Sequence, residues 1–188
     1  MTRQRFRHRQ DSTRFHRFIL GLVMLALLSV CLPVRSNDFQ DEDLKAVYLY
    51  RFAFLVNWRD MQPADGRYDF CVYGDSSVSR RLQDIANSKP EQVQYHNIKV
   101  SGSSQEPCQI IYTPERAKEH IRTLHNQYPD ALIVGEGKRF SRAGGMISFI
   151  KVNNRVKLLI NRKNIQGMPF TLRSQLLSIA VIDGEEEI

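Results

Sequence analysis

The sequence has no CxxC pair, no HExxH helix, no GxSxG turn and no complete phosphate-binding loop. The local signatures of a structural zinc, a metalloprotease, a serine hydrolase and a nucleotide site are therefore all missing. No apolar run is long enough for a comfortable bilayer span; the longest, residues 18–32, falls short of the roughly 20 residues that a spanning helix needs. Cysteine is scarce, at three among 188 residues, and there is one tryptophan. Beyond residue 36 only three histidines remain to serve as a catalytic base. His96 falls in an expected strand, while His120 and His125 lie five apart on one expected helix, the wrong interval for a shared face. All three read as ordinary surface or hydrogen-bonded core residues. A non-catalytic binding or regulatory domain is the default.

The charge of one sign that the chain does have is misplaced for nucleic acid. The formal net charge is +7. Seven of the basic residues (Arg3, Arg5, Arg7, Arg9, Arg14, Arg17 and Arg35) and one acid, Asp11, lie in residues 1–36, which leaves 20 basic against 19 acidic residues and a net of +1. A phosphate-backbone partner loses its main support. The same basic residues, followed by a short apolar run and by Val34-Arg35-Ser36, form the pattern of a secretory signal peptide over residues 1–36. Cleavage is expected after Ser36, and the absence of an adjacent arginine pair before the run favours the general secretion route. Two alternatives stay open: an uncleaved membrane anchor, and lipidation at Cys31, since Leu28-Ser29-Val30-Cys31 half resembles a lipoprotein box. The remaining organisation is one domain over 37–183, long enough for a proper core, and an acidic tail over 184–188.

Export would discard Cys31 and leave Cys71 and Cys108. In an oxidising compartment two thiols in apolar strands tend to pair, so a Cys71–Cys108 disulfide is expected, the alternative being two free buried thiols. No metal site is expected, because no histidine pair at ligand spacing accompanies them.

Along the mature chain helical and strand patterns alternate. Asp41, Glu42 and Asp43 suit a helix N-terminus, and Leu44, Val47, Tyr48, Phe52, Leu55 and Val56 follow at helical spacing. Strands are expected at 68–73, 93–100, 108–112 and 131–134, with a helix over 76–86 between the first two. Thr113 and Pro114 read as the cap and first residue of a helix that carries Ala117, Ile121, Leu124 and Tyr128 on one face. Gly135-Glu136-Gly137-Lys138 follows a strand and reads as a Gly-rich turn at a position where open α/β sheets place ligand crevices. Gly144 and Gly145 read as a tight entry into a strand over 146–150, which an Asn153-Asn154 turn joins to a second strand containing Val156, Leu158 and Ile160. Asn161 starts a short helix, and Leu172, Leu176, Ile179 and Ala180 mark a final one. These patterns specify an α/β fold class: a single layered domain with a mixed sheet flanked by helices, parallel early and with an antiparallel hairpin late.

Three stretches resemble the YfiR-like family of periplasmic proteins. The first is the helix from Leu44 through Ala53 that ends at Val56-Asn57-Trp58. The second is Gly144-Gly145-Met146-Ile147-Ser148-Phe149 with the following strand to Asn161, and the third is Ser174-Gln175-Leu176-Leu177-Ser178-Ile179-Ala180. Cys71 and Cys108 fall where that family carries a cysteine pair. Arg59 departs from it, since the family usually has proline directly after the tryptophan, and a second cysteine pair seen in some members is missing. The resemblance implies an exported regulator without catalytic residues or cofactor. It would bind and repress the periplasmic domain of an inner-membrane diguanylate cyclase, thereby controlling cyclic di-GMP signalling and biofilm formation, and an outer-membrane lipoprotein could sequester it. Homodimerisation stays open. Exposed positions at the closing helix, Arg173 and Gln175, are the candidate partner contacts, and Trp58, Gly144, Gly145 and Asn161 are the family-motif structural positions. The rival reading is an extracytoplasmic small-ligand sensor, partnered with a sensor kinase, that uses the crevice near 135–142.

Overall fold

The computed structural model describes residues 37–99 and 107–184. The expected signal peptide over 1–36, with Cys31, the expected turn at 101–104 and the acidic tail from residue 185 onward lie outside the described residues. Helix α1 (Asn37–Leu55) leads into strand β1 (Val56–Asn57). Strand β2 (Tyr68–Val72), helix α2 (Ser77–Ser88), strand β3 (Val93–Asn97) and strand β4 (Ile110–Tyr112) follow. Next come helix α3 (Lys118–Gln127), strand β5 (Leu132–Glu136), helix α4 (Gly137–Arg142) and the hairpin of β6 (Ile147–Val152) and β7 (Arg155–Ile160). The described chain closes with helix α5 (Arg162–Ile165), strand β8 (Thr171–Leu172), helix α6 (Ser174–Leu177) and strand β9 (Ala180–Ile182).

Seven strands form one sheet in the order β3-β2-β4-β5-β6-β7-β9, and β1 pairs with β8 in a separate two-stranded ribbon. Strands β3, β2, β4, β5 and β6 run parallel, β6 and β7 antiparallel, and β7 and β9 parallel. The sheet is therefore mixed and flanked by helices, as the alternating patterns imply. Side chains alternate across a strand, so each strand feeds two cores. Phe70, Val72, Ile110, Tyr112, Leu132 and Val134 point into the larger one, under Ala46, Leu49, Phe52 and Ala53 of α1 and Val78 and Leu82 of α2. Cys71, Ile111 and Ile133 point to the opposite face, against Ile121 and Leu124 of α3 and Phe140 of α4. The hairpin turn is fixed by Asn153 and Asn154, both at positive φ (48° and 58°), the left-handed conformation that asparagine tolerates and a two-residue hairpin requires.

Several expected boundaries move, each for a visible reason. Helix α1 begins at Asn37, so Asp41, Glu42 and Asp43 do not form its first turn. They make ion pairs instead: Asp41 with Lys151 (2.8 Å), Glu42 with Lys45 (3.1 Å) and Asp43 with Arg81 (2.9 Å). Thr113 does not cap a helix. Its N–H still belongs to the sheet and donates to the Val134 carbonyl (3.0 Å), while its Oγ1 accepts from the Glu115 N–H (3.1 Å) in a local turn. Helix α3 therefore starts only at Lys118. The final helix shrinks to Ser174–Leu177, because Leu172 is in β8 and Ala180 opens β9, where it lies opposite Leu158 in the register with β7. Pairing with an existing strand overrides a short apolar run at helical spacing. The Gly-rich turn is also shorter than expected, since Gly135 and Glu136 finish β5 and Gly137 already opens α4.

Candidate functional site

Tyr112 and Glu136 are the last residues of the adjacent parallel strands β4 and β5, at the carboxyl edge of the sheet where α/β folds place ligand crevices. A cavity of about 450 Å³ opens there between that edge, α1 and the hairpin. Glu136 is its hub: one oxygen accepts from the Tyr112 hydroxyl (2.7 Å), and the other lies 3.3 Å from Lys45 Nζ and 4.0 Å from Arg116. Lys45 also reaches Glu42, and Lys151 reaches Asp41. Burial, and after it the negative charge of Glu136, pushes the Tyr112 hydroxyl far above its ordinary range, so it stays a donor at every physiological pH. The three carboxylates that line the cavity, Asp41, Glu42 and Glu136, are thus all engaged with cations of the chain itself. Glu136, Gly137 and Lys138 bring the expected 135–142 segment into this crevice; Arg142 does not line it.

A second concavity, of about 570 Å³, lies between α5, the β8 segment and the end of β7. Phe170 is buried in its wall, Ile165, Met168 and Leu177 are half-buried, and Arg162 and Lys163 are exposed. Arg59 completes the lining, which includes no carboxylate. The sequence carried a signal for this groove: between residues 137 and 182 there are nine lysines and arginines and no aspartate or glutamate. A charge sum over the whole chain or over residues 37–188 hides that polarity. Arg59 itself sits at φ +51°. Proline, with φ fixed near −65°, could not adopt that conformation, so the departure from the family's usual Trp-Pro changes both the backbone and the charge at this wall.

The family-motif positions are structural in geometry. Trp58 is fully buried, donates Nε1–H to the Ala53 carbonyl (2.8 Å) and packs its ring 5.3 Å from that of Phe170. Gly144 holds φ +118°, and a Cβ on Gly145 or Gly135 would overlap the Phe140 ring, so the two residues form a slot for that phenylalanine. Asn161 caps α5 through Oδ1 to the Asn164 N–H (3.3 Å) and donates Nδ2 to Ser141 Oγ (3.1 Å) and to the Asp183 carboxylate (3.3 Å). Cys71 and Cys108 are joined by a disulfide with Cα atoms 5.7 Å apart, inside the usual span of about 4.4–6.8 Å. Arg173 and Gln175 are exposed, Arg173 at the N-cap of α6, and neither lines the crevice at Glu136 or the groove beside α5; the Arg173 N–H donates to the Leu55 carbonyl (3.0 Å), which ties the residue after β8 to the end of α1.

The histidines divide. His96 Nε2 lies 2.7 Å from Asp69 Oδ1, and His125 Nε2 lies 2.9 Å from the Gly144 carbonyl oxygen. His120 Nε2 is buried with no hydrogen-bond partner, its ring centroid 4.3 Å from that of Tyr73. Only the first two are the satisfied residues expected, and the three share no site.

A family model described as YfiR/HmsC-like matches residues 42–181. No curated protein matches the chain. Among solved structures, an ABC domain in complex with L-Trp from Streptococcus pneumonia matches at 10% identity and a TM-score of 0.48, covering 76% of this chain and 60% of that one. A conserved domain protein from Vibrio cholerae matches at 12% identity and a TM-score of 0.48, covering 74% of this chain and 59% of that one. The chain thus spans about 60% of the length of each. Among the described residues, no helix is long and apolar enough to cross a membrane.

Proposed function

From the premise that the chain belongs to the YfiR/HmsC-like family, we propose that it is an exported, non-catalytic regulator that binds the periplasmic domain of an inner-membrane diguanylate cyclase and represses it. The observation that carries this reading is the family match across nearly the whole domain, residues 42–181. The chemistry of the molecule is compatible with it. A repressor of this kind needs only a higher affinity for the cyclase's inactive state than for its active one, and that difference sets how far the catalytic population shifts. A contact surface supplies such a difference without a reacting group. An outer-membrane lipoprotein that sequesters the regulator would relieve repression by mass action.

Deletion of the gene should raise cyclic di-GMP and promote biofilm, and the chain from Asn37 used as bait on solubilised membranes should retain a protein that carries a diguanylate cyclase domain. Unchanged cyclic di-GMP across growth conditions, together with retention of a sensor kinase, would replace this reading with the ligand-sensor one. The crevice at Glu136 favours that second reading by its position at the carboxyl edge of the parallel strands. Its carboxylates, however, are already paired within the chain.

A further inference from the structure

We propose that the cationic face formed by α4 and the outer side of β7 rests on an anionic phospholipid surface, which holds the domain at a membrane by charge alone. This goes beyond the cyclase reading and does not depend on it. The first support is where the cations of residues 137–182 stand. In α4, Phe140 and Ser141 are buried while Lys138, Arg139 and Arg142 are exposed. At about 100° per helical residue the three cations fall within one arc, opposite the buried pair. In β7, Val156, Leu158 and Ile160 belong to the core under α1, so the alternating Arg155 and Lys157 point to the other side of the sheet. That is the side on which Phe140 seats α4, which packs against β5, β6 and β7. Five exposed cations from two elements thus share one side of the sheet. Among the described residues none of the five makes an ion pair, whereas Lys151, which points to the α1 side, is held by Asp41 (2.8 Å).

The second support is what this face does not carry. The large apolar side chains that are exposed are Leu44, Val47 and Phe54 on α1, across the sheet, and Ile179 just before β9; none is on α4 or the hairpin. The core of a protein–protein interface is apolar and depleted in charge, so a face of five cations with no exposed large apolar side chain on its elements is poorly suited to one. A layer of phosphate headgroups asks for no matching shape and carries the opposite sign. Each lysine or arginine that reaches such a surface strengthens partitioning by about fivefold, so five acting together retain a domain that one would not. Their reach is about 8 Å at physiological ionic strength, which confines the attraction to the side that carries them and makes it sensitive to salt.

The test is sedimentation of the chain from Asn37 to Ile188 with vesicles of phosphatidylcholine alone or mixed with phosphatidylglycerol. At low salt the mixed vesicles should retain the chain at least tenfold better than the neutral ones, and high salt should release it. Arg139→Glu with Lys157→Glu should lower retention at least tenfold, Arg139→Gln with Lys157→Gln should lower it less, and Arg139→Lys with Lys157→Arg should preserve it. Arg51→Glu with Arg80→Glu, at exposed positions of α1 and α2 on the other side of the sheet, changes the net charge equally and should alter retention less than threefold. Equal retention by the two kinds of vesicle would overturn the proposal. So would equal losses from the two reversed pairs, retention that survives high salt, or a preference for duplex DNA or polyglutamate over mixed vesicles at equal charge.

Discussion

The crevice at Glu136 and the groove at Arg162 are of similar size, but their charges face opposite ways. In the crevice every lining carboxylate meets a cation of the same chain, and the Lys45–Glu136 pair joins α1 to the end of β5 across 91 positions of sequence. In the groove cations line an apolar wall with no acid among them. The first arrangement uses its electrostatics to hold the fold together; the second brings cations of one sign to an apolar wall, with no carboxylate among its lining residues. A concave surface with charged residues is therefore not by itself a binding site, and the sign balance within the lining separates a fastener from a docking surface. The same contrast runs along the sequence, since the nine cations and no acids of residues 137–182 follow a stretch that contains the disulfide and most of the internal ion pairs.

The comparison can be tested by substitutions that should divide into costs to stability and costs to binding. The largest cost is expected at the disulfide. Cys71→Ser with Cys108→Ser should lose roughly 2–5 kcal/mol, as removal of a native bridge does in small secreted domains. Denaturant titration of the chain from Asn37 reads this directly, and a loss below about 1 kcal/mol would mean that the smaller core stands without its bridge.

Next comes Gly145→Ala. The added methyl would overlap Phe140, which is fully buried between sheet and α4 and cannot swing into solvent. Overpacking of this kind costs about 1–3 kcal/mol. Phe140→Leu in the same chain should recover part of it, which separates the steric cause from the backbone one; Gly144→Ala, at φ +118°, should not be rescued by the same change.

Much of this was legible in the sequence, and what was not has physical causes. The α/β class, the parallel-then-antiparallel sheet and the Asn153-Asn154 turn follow from local patterns, because strand alternation and turn chemistry are short-range signals. Asn161 as a helix start was legible for the same reason. Strand β9 was not, because Ala180, Val181 and Ile182 are also compatible with helix, and only their pairing with Leu158, Leu159 and Ile160 decides the matter. Nor was the β1–β8 ribbon, whose two-residue strands carry no periodicity. Gly145 read as part of a tight backbone entry into the strand, whereas its close approach to Phe140 was hidden, since steric exclusion between residues is visible only in space. At the candidate sites, the position of the crevice was foreseeable from the end of a parallel strand, whereas its hub was not. Glu136 lay within an apparent turn, and its partners Lys45 and Tyr112 come from elements far apart in sequence.

A smaller cost is expected in the crevice. Glu136→Gln keeps an acceptor for the Tyr112 hydroxyl but removes the charge that faces Lys45 and Arg116. Lys45 retains Glu42, and both side chains of the Lys45–Glu136 pair are partly open to water (13% and 21%), so the loss should be about 1 kcal/mol, below that of a fully buried pair. Lys45→Met should cost more than Glu136→Gln, since it takes the cation from both Glu42 and Glu136 and leaves Glu136 with the Tyr112 hydroxyl and only the distant Arg116 as a positive charge. The reverse order in thermal unfolding would remove Glu136 from the hub.

The smallest stability effect should come from the groove, and there the comparison is tested most sharply. Arg162→Gln and Lys163→Gln change exposed side chains on a four-residue helix, so unfolding free energy should move by no more than about 0.5 kcal/mol. Binding of the anionic dye 8-anilinonaphthalene-1-sulfonate by the chain from Asn37 should nevertheless fall, and the remaining affinity should depend less on salt, because fewer counter-charges are then engaged. Glu136→Gln should do the opposite, lowering stability and leaving probe binding at the groove unchanged. If the groove variants instead unfolded the domain while the Glu136 variant impaired binding, the fastener and the docking surface would have to exchange places.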